Sequence, residues 1–133
     1  MTVLVTRDQS APMRHEIRIG SHRLAADETV EQGGDGSAPT PHDLYDAALG
    51  ACKAMTVLWY ARRKSIPVES IEVRVERDAT QERAGTYRLD AQIRLGGPLT
   101  EAQRQELLSV AAKCPIHKLM TAVKTEITTS LAG

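Results

Sequence analysis

The chain has 133 residues, enough for one domain with a core of its own, although a chain this small often buries more surface by pairing. Its 17 Lys and Arg balance 17 Asp and Glu, which argues against a nucleic-acid partner, since such proteins carry a basic excess. No apolar run is long enough to span a membrane. The first residues, MTVLVTRDQS, lack the basic-then-apolar plan of a secretory leader, so the expected location is the cytoplasm.

Residues 2–7 read as a short strand. Residues 14–19 alternate polar and apolar and lead through Gly20-Ser21 into a second alternation from His22 to Ala25, a hairpin signal. Residues 28–41, rich in Gly, Pro and small polar side chains, read as a loop. Gly33-Gly34 lacks the motif that would make it a phosphate cradle.

A long helix is expected next. Thr40 suits the N-cap, Pro41 the first helical position, and Asp43 stands where a capping box places its acid. Leu44, Ala48, Ala51, Met55 and Leu58 form one apolar stripe, and Tyr45, Leu49, Cys52, Thr56 and Trp59 a second. Between Ala47 and Leu58 the single charge is Lys53. A helix apolar on most of its surface belongs inside an assembly, and Ala47, Ala48, Gly50 and Ala51 would let another backbone approach closely.

Two alternating runs follow, Ile71 to Glu76 and Tyr87 to Leu95, each the pattern of an antiparallel strand with one buried face. Thr100 with Gln103 caps a further helix, which Pro115 interrupts directly after Cys114. A short helix restarts at Pro115, and Val123, Thr125, Ile127 and Thr129 predict a closing strand. The class is α+β, an antiparallel sheet with one unusually apolar helix. One sheet covers one side of that helix, so a second subunit is expected on the other.

The chemistry rests on two cysteines. They are too far apart for a CxxC motif, and a permanent disulfide is not expected in a reducing compartment. Two thiols exclude a four-thiolate zinc site, and His15, His22, His42 and His117 lack zinc-finger spacing, so no metal is expected. By residue type alone Cys52 is a core thiol, and it needs a nearby cation to ionise at neutral pH. Cys114, before Pro115, suits an N-cap facing unpaired N–H groups, with His117 close enough to add charge or act as a base.

The stretch GGDGSAPTPHDLYDAALGACKAMTVLWYARRKSI, followed by CPIHK, resembles the superfamily of osmotically inducible protein C and the organic hydroperoxide resistance proteins, over residues 26–130. The resemblance implies an intertwined homodimer, with sheet from both subunits wrapped around a long central helix. It also implies reduction of organic hydroperoxides, with Cys52 as the peroxidatic and Cys114 as the resolving cysteine. No metal or bound cofactor is required. The reductant would be an external dithiol, and in the organic-peroxide branch lipoylated proteins play this part. In such a cycle the Cys52 thiolate takes one peroxide oxygen as a sulfenic acid, which Cys114 condenses to a disulfide.

That branch uses a Glu near the start of the central helix and an activating Arg. Here the nearby acid is Asp43, while alignment by the cysteine puts His42 at the place of the Glu. Along a straight helix Asp43 is about 13 Å from Cys52 and half a revolution round, so a partnership would cross a dimer or run through an Arg. Arg7, Arg14, Arg18 and Arg23 lie in the expected region, and Arg14, at the hairpin base, is the candidate carried forward. Two other functions fit parts of the pattern: a stress-associated dimer that binds an apolar ligand, and an acyl-transfer enzyme using Cys114 with His117.

Overall fold

The computed structural model describes all of residues 1–133. The chain divides into two compact units, Met1–Asp46 and Ala47–Gly133.

The first unit is built on β1 (Val3–Arg7), β2 (His15–Ile19) and β3 (His22–Ala26), an antiparallel sheet in the order β1-β2-β3. Ile19 pairs with His22 across the two-residue loop. Gly20, the first loop residue, has φ +60°, the left-handed value that a type II′ hairpin turn requires there. Val3, Leu4, Val5 and Leu24 stay exposed.

The loop after β3 holds a single 3-10 turn, Val30–Gln32, and is organised by Asp27. This buried carboxylate accepts the Glu28 N–H at 2.8 Å, the Ser37 N–H at 3.0 Å and the Ser37 hydroxyl at 2.6 Å. Gly34 packs so tightly on this latch that a Cβ would fall 2.2 Å from the Glu28 carbonyl oxygen and 2.7 Å from Asp27 Oδ1. Gly34 is therefore a packing position, while Gly33 caps the 3-10 turn at φ +94°.

The Ser37 hydroxyl and N–H hold Asp27 down to a pKa of about 2 from the ordinary 3.8. A carboxylate with a depressed pKa stabilises the fold above its unfolded value and loses that contribution as pH falls through the folded value. Asp27→Asn should thus lower the melting temperature at neutral pH, and the gap from wild type should close between pH 3.8 and about 2. Thermal melts across that range check it. A constant gap would show that shape rather than charge holds the loop.

Helix α1 (Pro41–Arg63) begins at the expected cap. Asp43 N–H donates to Thr40 Oγ1 at 3.1 Å, and Thr40 N–H donates to Asp43 Oδ2 at 3.0 Å, so two orphan donors are satisfied reciprocally. It ends in a Schellman turn: Ser65 adopts φ 54° and Ile66 N–H donates to Ala61 O at 2.8 Å.

In the second unit, β4 (Ser70–Asp78) and β5 (Arg88–Gly96) form a two-stranded antiparallel sheet. Val73 pairs with Ile93 and Val75 with Ala91, so the apolar positions share one face. Gly50 turns toward that face, where a Cβ would sit 3.2 Å from Val75. Helix α2 (Glu101–Ala111) starts in a full Thr100–Gln103 capping box, and α3 (Pro115–Thr121) starts at Cys114. The core of the unit is Val57, Ala61, Ile66, Leu107 and Ala111, flanked by Tyr60, Val68, Ile71, Ile93, Leu95 and Leu99. Arg104 donates to Leu95 O at 2.9 Å, and Tyr60 donates to Glu106 Oε2 at 2.5 Å; these bonds tie α2 to β5 and to α1.

Two expectations are corrected. The strands form two separate sheets within the chain. The closing strand from Val123 to Thr129 does not form, and residues 124–133 carry no regular structure. A strand is held by ladder hydrogen bonds to a neighbour, and periodicity alone supplies none. No helix is long and apolar enough to cross a membrane.

Candidate functional site

Both cysteines belong to the second unit. Cys52 sits on α1, half-buried, with its sulfur 3.9 Å from Thr56 Oγ1 one turn on. Cys114 is fully buried at the N-cap of α3. Pro115 fills the first helical position, where its missing N–H costs nothing. The His117 N–H donates to Cys114 Sγ at 3.4 Å.

Burial pushes the Cys114 thiol above its ordinary pKa. The His117 N–H and the charge of Lys53 pull it down, while the adjacent Cys52 thiol adds to the rise as a hydrogen-bond partner and as a charge. Both thiols are free.

Lys53 is the residue that sequence reasoning missed. It is 5% exposed. Its ammonium donates to Ala111 O and to His117 Nδ1, each at 3.0 Å. An ammonium has only donors, so His117 Nδ1 accepts, and the neutral ring carries its proton on Nε2. The available signal was a single charge inside an otherwise uncharged helical stretch from Ala47 to Leu58. Its acceptors lie 58 and 64 residues away, beyond the reach of any local pattern.

Arg14 and Asp43 belong to the first unit. Asp43 serves the Thr40 cap. Arg14 donates to Ser37 Oγ at 2.9 Å and Ser37 O at 3.2 Å, and lies 3.9 Å from the Asp8 carboxylate. Arg7, Arg14, Arg18 and Arg23 all line one open hollow of about 820 Å³ on the sheet face. Register accounts for two of them: Arg18 stands opposite Arg23 and Leu4, and Glu16 and Arg18 alternate to the same side. Glu16 offsets Arg23 at 3.9 Å. No three His, Cys, Asp or Glu side chains converge as a metal site would require.

Comparisons with known proteins agree with this architecture. A Psychrobacter arcticus protein ascribed to osmotic-stress induction and detoxification response matches with a TM-score of 0.78 and 20% identity, over 92% of this chain and 89% of that one. A Legionella pneumophila organic hydroperoxide resistance protein, OsmC, matches at 0.65 and 22% identity, over 92% and 90%. The organic hydroperoxide resistance protein OhrB of Bacillus subtilis matches at 0.59 and 22%, over 92% of each chain. At such identities the likeness speaks for the fold. No curated protein matches the chain in sequence. The family model described as OsmC-like protein matches residues 34–130, a span that takes in both cysteines, Lys53 and His117, and the chain therefore belongs to the OsmC-like protein family.

Proposed function

We propose that the protein is a cysteine peroxidase that reduces organic hydroperoxides to alcohols in the cytoplasm. The observation that carries this reading is a half-buried Cys52 in the same unit as a fully buried Cys114 whose ionisation it opposes. The accessible thiol is suited to meet the peroxide and the buried one to resolve the product. Cys52 attacks the O–O bond, releases an alcohol and becomes a sulfenic acid. Cys114 displaces the hydroxyl to give a disulfide, which an external dithiol, such as the lipoyl group of a carrier protein, reduces by exchange. Arg14, held by Ser37, is the proposed activating cation, and Asp43 its proposed acidic partner.

Treatment with one equivalent of cumene hydroperoxide tests this reading. Loss of both thiols and of about 2 Da is expected, the mark of a disulfide. An unchanged mass and thiol count would overturn the peroxidase and favour the apolar-ligand binder. The acyl-transfer reading is the weaker one, because His117 meets Cys114 through its main-chain N–H while its ring Nδ1 is taken by Lys53.

The working form is proposed to be an intertwined homodimer. Ala48, Ala51, Met55 and Trp59 recur at helical spacing on α1 and are all exposed, Met55 to 70% and Trp59 to 60%. Ile127 and Leu131 on the tail are bare as well. Light scattering should give twice the chain mass, and Trp59→Glu should lower it toward the monomer. A monomeric wild type at micromolar concentration would overturn the dimer.

A further inference from the structure

We infer that Lys53 is a positioning residue for the resolving half of the cycle: its buried ammonium, shared between Ala111 O and the His117 ring, fixes the α2–α3 corner and stabilises the Cys114 thiolate while it closes the disulfide. The inference rests on the peroxidase reading above and adds to it a residue and a step.

An ammonium withdrawn from water is strongly disfavoured unless it is hydrogen-bonded and compensated. Lys53 makes two 3.0 Å bonds, both to neutral acceptors. Those acceptors bracket Cys114: Ala111 ends α2, and His117 lies in the first turn of α3. One side chain from α1 thus pins both flanks of the segment that carries the buried thiol. Next to Lys53 on the same helix stands Cys52, the thiol to which Cys114 must join.

The charges around Cys114 are few. Cys52 and Lys53 act on it from α1 and the His117 N–H from α3, while the neighbouring Lys113 and Lys118 are exposed. Burial opposes ionisation of this thiol, and the Lys53 charge favours it. Resolution needs the anion: the Cys114 thiolate attacks the Cys52 sulfenic sulfur, the S–S bond forms, and the S–O bond breaks. The hydroxide takes up the proton that the thiol released and leaves as water. The organic hydroperoxide supplied the oxidising equivalents in the preceding step. His117 does not serve as the base, since its Nδ1 is engaged by Lys53.

The test separates the two steps in Lys53→Met, and in Lys53→Gln, which keeps a donor and loses the charge. Peroxide attack is followed by trapping the sulfenic acid with dimedone, and closure by loss of the second thiol, across pH. Closure should slow by about tenfold more than peroxide attack, the thiolate fraction lost if the thiol rises by one pH unit. The pH midpoint of closure should move upward in both variants. Equal slowing of both steps, or an unshifted closure profile, would overturn the inference. Should Lys53→Met not fold, Lys53→Gln decides. Closure driven by diamide, which needs no peroxidase activity, provides the independent arm. A wild type inert to hydroperoxide, with diamide closure still slowed and shifted in Lys53→Gln, would sink the peroxidase and leave the role of Lys53 standing.

Discussion

Cys52→Ser should abolish hydroperoxide consumption, with turnover falling by about a thousandfold or more, as loss of a nucleophile does. Cys114→Ser should behave differently. Its Cys52 thiol still meets the peroxide, so one equivalent is consumed at nearly the wild-type rate, and the sulfenic acid then persists and is trapped by dimedone. Turnover driven by a dithiol should fall because the intramolecular disulfide no longer forms. The contrast follows from burial: Cys52 is half-buried, while Cys114 is fully enclosed. Stopped-flow consumption of cumene hydroperoxide with mass analysis of the product reads both variants. If Cys114→Ser loses the first step as completely as Cys52→Ser, the assigned order of the two thiols is wrong.

Leu107→Ala should destabilise the fold by about 2–5 kcal/mol, the usual cost of a large-to-small change in a packed core. Leu107 is 0% exposed and packs with Val57, Ala61, Ile66 and Ala111. It also joins α2 to α1, and Ala111, one turn later, accepts the Lys53 bond. A cavity here should therefore loosen the corner that holds Cys114. Urea unfolding at unchanged m-value measures the first effect, and slower disulfide closure the second. A loss below about 1 kcal/mol would mean that the core collapses around the cavity, at the low end for such sites.

Much of the architecture was legible because it depends on near neighbours in sequence. Thr40 with Asp43 and Thr100 with Gln103 form reciprocal caps three residues apart, and such a cap is a contact within one turn. Gly20 at a two-residue loop, the alternation from Ile71 to Glu76, and Cys114 before Pro115 are local in the same sense, and each appears as expected. Both cysteines and the family could likewise be read from the motifs around them.

The rest was decided by contacts between residues distant in the chain. Val123 to Thr129 alternate like a strand, yet pairing needs an edge that no periodicity within the segment provides. Asp27 reads as an ordinary surface acid until Ser37, ten residues away, supplies the donors that hold its charge. Lys53 is the clearest case. Sequence marks a charge on an apolar helix, but burial of that charge depends on Ala111 O and His117 Nδ1, 58 and 64 residues on. Sequence alone determined the caps, the tight turns and the elements that stand on contacts within one turn or one hairpin. Tertiary structure decided which groups lose water together, and that loss is what raises the buried Cys114 thiol.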